Sequence, residues 1–238
     1  MTTLVSRCPS NFVSCNGVSA VLRFIQDCWD HDLLVSALIL IQSAVSASRD
    51  LQSDFGSDEG MRAVLMCLSN TASPEDVRLS AVLVASQLCR GHEANQRRFA
   101  NQRGLPFLIS DLERLKSLDP TLPSPYAIAA FRLVWEAVVA NPRNLARFSM
   151  AGGIDSLLDL VELGNTCHKP TLLSLLSDIF ERRETHRFFH EWRSSVSGQT
   201  ASEMLIGMWR EAEDMKGVTC DGMVFNTKRP LAGSGVQT

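Results

Sequence analysis

Apolar positions recur along this chain in a fixed order that predicts helices packed in repeating units. Each copy has a phenylalanine, a glycine five residues later, an apolar residue directly after the glycine, and further apolar residues three and four positions on. This spacing is typical of the buried stripe of an amphipathic helix. The phenylalanines lie 43, 44 and 49 residues apart. They are Phe12, Phe55, Phe99 and Phe148, and the matching glycines are Gly17, Gly60, Gly104 and Gly153.

The length of this period predicts the fold class. A period of about 40 to 47 residues is typical of armadillo and HEAT arrays, in which stacked helical units bury one another's apolar faces. We therefore predict an all-α, right-handed armadillo- or HEAT-like solenoid of about four repeats plus an incomplete terminal unit. The predicted helical domain is 1–216, with units at about 8–47, 49–91, 93–140 and 142–182 and a partial unit at 184–216. Residues 217–238 show no period, and we expect a tail that is disordered or ordered only by a partner.

Within each unit we expect three helices. A short first helix carries the phenylalanine, a second carries the apolar stripe, and a longer third completes the unit. We expect the glycine to adopt a positive φ that ends the first helix, a conformation that costs glycine little. Proline is favoured in the first turn of a helix, and Pro125 and Pro170 mark two of the starts. The third helices are predicted at about 31–47, 75–90, 125–140 and 170–182.

Two segments resemble the armadillo repeat in detail, and the resemblance covers about residues 8–193. Residues 141–154 (NPRNLARFSMAGGI) match its Asn-Pro-x-Asn and Gly-Gly pattern, and residues 95–104 (NQRRFANQRG) are a weaker copy. In the nuclear-import and catenin branches, the third helix of each unit presents an asparagine that holds an extended peptide. None of the matching residues here is asparagine, so the resemblance implies a groove better suited to a helix or a packed domain. The matching residues are Ala44, Leu88, Ala137 and Asp178.

A narrower resemblance lies near the C-terminal end. Residues 170–179 (PTLLSLLSDI), Trp192 with Arg193, and residues 208–213 (MWREAE) are similar to the C-terminal region of the cilia- and flagella-associated armadillo protein of the axonemal central apparatus. This resemblance implies a non-enzymatic scaffold in the axoneme, with central-apparatus proteins or tubulin as partners. A soluble adaptor that reversibly binds a peptide, a helix or a small GTPase is the alternative. A catalytic module is a third reading, but the P-loop, nucleophile-elbow and zinc-protease motifs are absent.

Composition narrows the compartment and the partners. Of 238 residues, 45% are hydrophobic and 21% are charged, and the net charge is −3. These values describe an ordinary soluble protein without a global attraction to nucleic acid or to a membrane surface. The seven cysteines are odd in number and form no Cys-x-x-Cys motif. We therefore expect reduced thiols in the cytoplasm, consistent with a cytoskeletal or ciliary location.

The candidate interaction residues are tryptophans and arginines. Trp29 and Trp135 lie in apolar stretches and are predicted to be core residues. Trp192 and Trp209 lie among charges, and tryptophan is enriched at interface hot spots. The arginines form three clusters (182, 183, 187, 193; 97, 98, 103; 143, 147), which we interpret as solvated faces with local ion pairs, the alternative being a ridge for an acidic partner. The predicted partner-binding set is Ala44, Leu88, Ala137, Asp178, Arg187, Trp192, Arg193, Trp209 and Phe225.

The histidine pair is the one metal-compatible motif. His186 and His190 are four residues apart on a predicted helix. A structural zinc site usually needs four ligands in a closed shell, so we interpret the pair as solvated. We predict no cofactor and no metal, and the sequence assigns no catalytic residue.

Overall fold

The computed structural model of the protein describes residues 12, 14–70, 72–117, 122–164 and 167–216. The chain divides into two compact units, residues 1–185 (unit 1) and residues 186–238 (unit 2). Apart from one isolated antiparallel bridge in unit 2, between Arg193 and Thr200, these described ranges contain helices, turns and loops but no strand. The predicted all-helical fold is therefore confirmed. The predicted tail, 217–238, lies outside the described residues.

The helices of unit 1 follow the predicted order of first, second and third helix in each repeat. They are α1 (Gly17–Asp27), α2 (His31–Ala47), α3 (Arg49–Phe55), α4 (Asp58–Ser69), α5 (Glu75–Cys89), α6 (Glu93–Asn101), α7 (Gly104–Leu115), α8 (Pro125–Val134), α9 (Pro142–Met150), α10 (Gly153–Leu163) and α11 (Lys169–Phe180). A π-helical turn, Trp135–Val139, continues α8, and a 3-10 turn, Arg183–Thr185, follows α11. The predicted third helices correspond to α2, α5, α8 and α11.

Along the stack, helices at equivalent positions in successive repeats pack against each other. The third helices form one layer, in which α2 contacts α5, α5 contacts α8 and α8 contacts α11. Second helices contact each other in the pairs α1–α4 and α7–α10. The repeat phenylalanines fill the space between the layers: Phe55, Phe99 and Phe148 are at most 1% exposed. Phe12 is only half-buried, and its ring centroid lies 6.2 Å from that of Phe55.

The repeat glycines have a different role from the one predicted. Gly104 and Gly153 are the first residues of α7 and α10, and neither has a positive φ. The left-handed residue stands one position earlier, as Arg103 (φ 66°) and Gly152 (φ 85°). A Cβ at Gly104 would lie 2.6 Å from both the ring and the carbonyl oxygen of Phe99. The glycine is therefore required because the phenylalanine packs directly against its α-carbon.

Asparagines of the first helices join consecutive repeats. The side-chain amide of Asn144 donates to the carbonyl oxygens of Ala137, at 2.8 Å, and Gln96, at 2.9 Å. In the preceding repeat, Asn95 donates to the carbonyls of Leu88, at 2.8 Å, and Gln52, at 3.0 Å. Each asparagine therefore lies in the first helix of one repeat and bonds to two helices of the preceding repeat. These are the first helix and the third helix of that repeat. Of these four acceptors, Leu88 and Ala137 lie in the last turn of a helix, where backbone donors for the carbonyls run out.

Unit 2 contains two helices, α12 (His186–Glu191) and α13 (Ala201–Lys216), which contact each other. A reciprocal capping box begins α13. The Thr200 N–H donates to Glu203 Oε2 at 2.8 Å, and the Glu203 N–H donates to Thr200 Oγ1 at 3.2 Å. Across the described part of the chain, every helix is too short or too polar to span a bilayer.

Candidate partner-binding surfaces

Three of the four predicted groove residues belong to the core. Ala44, Leu88 and Ala137 are each 0% exposed, so their side chains do not line a surface groove. This side of each third helix is therefore covered by neighbouring helices of the stack rather than by solvent. Counting back from the phenylalanine selected an inward-facing position.

The fourth predicted groove residue lies on the surface. Asp178 is exposed on α11, and its Oδ2 accepts a 2.6 Å hydrogen bond from the indole N–H of Trp135. Trp135 was expected in the core, but it is half-buried at the start of the π-helical turn. The neighbouring Glu136 lies 3.8 Å from Arg90 of the preceding repeat. The third-helix layer therefore carries an indole and acidic groups at its surface.

A buried ionic cluster fastens α5, α7 and α8 together. Arg78 donates to Asp111 Oδ1 at 2.8 Å and to the hydroxyl of Tyr126 at 3.1 Å. The Tyr126 hydroxyl donates to Asp111 Oδ2 at 2.6 Å, and Arg114 also pairs with Asp111 at 2.8 Å. Arg78, Asp111 and Tyr126 are each at most 4% exposed. Burial, followed by the charge of Asp111, raises the pKa of Tyr126, so the phenol stays protonated and acts as a donor.

The sequence contained a signal for this cluster. Asp111 lies in the apolar stripe that runs through Leu108, Leu112 and Leu115 of α7. A carboxylate at a stripe position is buried, and a buried charge needs a partner. Its partner Arg78 is 33 residues away, so only the packing of the repeats identifies it. This cluster holds the repeats together, and its low exposure leaves it little contact with a partner.

Several arginines from the predicted clusters bond across repeats. Arg98 donates to the carbonyl of Gly56 at 3.2 Å, and Arg147 to that of Ala100 at 3.4 Å. Arg182 donates to the carbonyl of Val139 at 3.5 Å. Each acceptor belongs to the preceding repeat. Neither interpretation from the sequence, a solvated face or a ridge for an acidic partner, included such bonds between repeats. Arg97 does follow the predicted pattern, with a local ion pair to Glu93 at 2.8 Å.

The tryptophans divide differently from the prediction. Trp29 was predicted to be a core residue, but it is 94% exposed in the loop between α1 and α2. Trp192 was predicted to contact a partner, but it is only 4% exposed. Trp209 of α13 is 67% exposed, as an interaction residue must be. The sequence reveals that a tryptophan lies near apolar residues, whereas the turn geometry decides which side it faces.

Two further predicted residues of unit 2, Arg187 and Arg193, are exposed but engaged locally. The Arg187 guanidinium lies 4.6 Å from the centroid of the Phe188 ring. Arg193 donates to the carbonyls of His190, at 2.6 Å, and Trp192, at 2.7 Å. Phe225 lies outside the described residues.

Metal-binding chemistry has no assembled site in the described residues. His186 and His190 are both exposed. Within the described ranges, no three His, Cys, Asp or Glu side chains are grouped so that they could hold an ion. The described cysteines form no disulfide, and Cys67 and Cys89 are buried.

Comparison with known families gives one extended match. The family model "Cilia- and flagella-associated protein 69, ARM repeat" matches residues 36–238. Among curated proteins, cilia- and flagella-associated protein 69 of Homo sapiens is 25% identical over 169 residues, which cover 66% of this chain and 17% of that protein. The same protein of Papio anubis is 24% identical over the same length. The chain thus spans about a sixth of the length of these relatives.

Two further similarities concern other proteins. The Hsp70 nucleotide exchange factor FES1 of Saccharomyces cerevisiae is 34% identical over 166 residues, which cover 66% of this chain and 57% of that protein. Among solved structures, a designed armadillo repeat protein in complex with the peptide (KR)4 superposes with a TM-score of 0.55. The sequences are 12% identical, and the match covers 86% of this chain and 90% of that one. This similarity establishes the armadillo fold of the chain.

Proposed function

Because the chain belongs to the armadillo-repeat family of cilia- and flagella-associated protein 69, we propose that it is a non-enzymatic structural scaffold of the ciliary or flagellar axoneme. The observation that carries the proposal is the family match over residues 36–238. We assign the proposed scaffold to the central apparatus of the axoneme. Its partners would be other central-apparatus proteins and tubulin. The proposed location is accordingly the axonemal cytoskeleton.

The mechanism requires a rigid body and exposed anchor residues. Rigidity comes from contacts that cross repeats, namely the Asn95 and Asn144 links and the buried cluster around Asp111. In unit 2, Trp209 is an exposed aromatic residue, and Ile206, 50% exposed, lies three residues before it on α13. Residues three apart share a helix face, so these two form an apolar strip. Exposed apolar strips of this kind mark protein contacts.

The test is retention of the protein in isolated axonemes. Tagged wild-type protein, Trp209→Ala and the control Val196→Ala are expressed in ciliated cells, whose axonemes are stripped of membrane and washed. Val196 is a suitable control because it is also exposed, at 73%, and also lies in unit 2. We expect wild type and Val196→Ala to be retained and Trp209→Ala to be depleted about tenfold, the effect of losing an interface hot spot. Absence of the wild-type protein from axonemes contradicts the proposal.

A second candidate function follows from the similarity to the Hsp70 nucleotide exchange factor. The identity to FES1, 34%, is higher than the 25% to the human ciliary protein. This supports the alternative of a soluble adaptor that binds its partner reversibly. The test is release of fluorescent ADP from purified Hsp70 with and without this protein. Faster release supports the adaptor function, and an unchanged rate removes it.

A further inference from the structure

The first two repeats form a cavity at the surface of unit 1, and its lining combines apolar side chains with the uncharged polar side chains of Gln26, Asn70 and Ser73. Its volume is about 240 Å³, and it lies between α1, the start of α2, α4 and the start of α5. Ile25, Leu34, Met66 and Val77 contribute its apolar walls, and Trp29 stands at its edge. Met66 is 54% exposed and Trp29 is 94% exposed, so the cavity opens to solvent beside an uncovered indole.

Trp29 is held in this position by its loop. The Cys28 N–H donates to the carbonyl of Phe24 at 2.9 Å, and the Cys28 thiol donates to the carbonyl of Asp30 at 3.4 Å. Asp30 then caps α2, since its carboxylate accepts from the N–H of Leu33 at 3.1 Å. The residues on both sides of Trp29 are therefore fixed by hydrogen bonds. Because the backbone on both sides of Trp29 is already ordered, a partner that binds there need not order the loop.

The size and chemistry of the cavity suit side chains of a protein partner. Small-molecule sites usually enclose roughly 300 to 1,000 Å³, so this cavity is below the range of a cofactor site. None of its lining residues is charged. Burial raises the pKa of the Cys67 thiol to about 11, so this wall residue is neutral at physiological pH. An aliphatic or aromatic anchor would therefore enter without stranding a charge.

Exposed acidic residues adjoin the lining residues of the cavity in the sequence. Asp27 follows the lining residue Gln26, Asp30 follows Trp29, and Asp76 precedes Val77. All three aspartates are exposed. The nearby exposed cations are fewer: Arg23 on α1 and Arg62, one turn before Met66 on α4. A partner with positive charges around an apolar anchor matches this arrangement.

We propose that this cavity is a docking site for a basic amphipathic helix of a partner protein, whose apolar anchor enters beside Trp29. A helix is favoured over an extended peptide because an amphipathic helix presents an apolar stripe between charged flanks, and this arrangement matches an uncharged cavity with acidic residues beside it. The inference goes beyond the scaffold proposal. It does not depend on the ciliary assembly, and the α1 and Trp29 walls precede residue 36, where the family match begins.

The test uses two synthetic helical peptides of about 18 residues with leucines at i, i+3, i+4 and i+7, one otherwise rich in lysine and one in glutamate. Binding to the full chain is measured by calorimetry. We expect the lysine peptide to bind and the glutamate peptide not to bind. Trp29→Ala should weaken binding about tenfold, and Asp27→Asn with Asp76→Asn should weaken it and reduce its salt dependence.

Ile39→Ala is the matched control, because Ile39 is another exposed apolar residue of unit 1 and does not line the cavity. The control should leave peptide binding unchanged. Trp29→Ala, in turn, should leave axonemal retention through Trp209 unchanged, so the docking proposal and the scaffold proposal can fail independently. Equal binding of both peptides, or no effect of Trp29→Ala, overturns the inference. If the lysine peptide binds only after residues 1–11 are removed, that segment is the occupant of the cavity, and the inference is overturned. Self-association abolished by Trp29→Ala identifies a second copy of the chain, and this also overturns the inference.

Discussion

At the scale of single residues, the pairing of phenylalanine and glycine explains why the sequence pattern repeats. A Cβ at Gly17 would lie 2.7 Å from the carbonyl oxygen of Phe12, and at Gly60 and Gly153 it would overlap Phe55 and the Phe148 ring. The same close approach therefore occurs in every copy of the pattern. Real Cβ atoms do not come so near to other heavy atoms, so any larger residue displaces the phenylalanine or the helix.

Replacing one of these glycines should destabilise the protein even though alanine is the better helix former. For Gly104→Ala we expect a loss of about 1–3 kcal/mol, because the new methyl group overlaps the ring and carbonyl of Phe99. The matched control is Gly207→Ala, since nothing lies within 4 Å of a Cβ built there in α13. That change should be neutral or stabilise by up to about 1 kcal/mol. Urea unfolding of both variants makes the comparison, and equal losses would exclude the packing explanation.

A second prediction at this scale concerns pH. The side chain of His168 is buried, and its Nε2 accepts a 3.0 Å hydrogen bond from the N–H of Ser124. Burial lowers the pKa of His168 below its ordinary value. The unfolded chain therefore takes up the proton first, and the stabilisation present above about pH 6.5 declines as the pH falls toward the lower folded-state pKa.

His168→Gln keeps an acceptor but does not titrate. The free energy of unfolding of the wild type should therefore fall more than that of the variant between about pH 8 and about pH 5.5. Urea unfolding at both values measures this difference. Parallel profiles for the two proteins would show that His168 does not contribute.

At the scale of helices, the asparagine links determine how one repeat is placed on the next. Asn95 and Asn144 are 0% and 2% exposed, and each amide satisfies two carbonyls from two different helices. Gln52 of α3 acts similarly within its own repeat, where its amide donates to the carbonyls of Gln87, at 2.9 Å, and Arg90, at 2.8 Å. Polar side chains of the first helices thus tie down the ends of the third helices.

Removal of such a link should cost more than the loss of one hydrogen bond. In Asn144→Ala, the carbonyl of Ala137 loses its donor and that of Gln96 loses its bond from the next repeat, so we expect a loss of about 1–3 kcal/mol of stability. Asn101→Ala is the control, because Asn101 is exposed at the end of α6 and should change stability by less than about 0.5 kcal/mol. Thermal unfolding, monitored by circular dichroism, measures the stability of both variants. An Asn144→Ala protein as stable as the wild type would refute the linking role.

At the scale of the whole molecule, both proposals place the function on exposed surfaces. Large apolar side chains are exposed in both units, with Trp29 and Met66 in unit 1 and Ile206 and Trp209 in unit 2. The two proposed contacts use these separate groups. A chain that presents more than one contact surface can hold several neighbours of an assembly at once, which is what a scaffold requires.

The C-terminal residues supply the prediction at this scale. Residues 217–238 carry Met223, Val224 and Phe225 without any helical period, and we predict that they contribute to docking. Deleting them should leave helical content and melting temperature nearly unchanged while releasing the protein from axonemes. Circular dichroism and retention in washed axonemes measure the two effects. Full retention of the shortened protein would place the contact on the helical units.

The sequence by itself determined the repeat fold and the approximate helix bounds. An apolar stripe with a helical period is a local property, and the spacing from Phe55 to Phe99 to Phe148 reveals how often it recurs. The predicted third helices at 31–47 and 75–90 accordingly agree with α2 and α5 to within a residue. Asp178 and Trp209 were likewise selected from the sequence and are exposed.

Only the tertiary structure decided which side of each helix meets another repeat. Ala137 was assigned to a groove and is enclosed, whereas Trp29 was assigned to the core and is exposed. The physical reason is that a helix within a stack is covered by other helices on several sides. The apolar residues of its sequence therefore do not identify the side that stays exposed to solvent. The pairing of Arg78 with Asp111 and Tyr126 joins residues 33 and 48 positions apart in the sequence. Such contacts depend on how one repeat is rotated on the next, and this rotation is set by packing rather than by any local pattern.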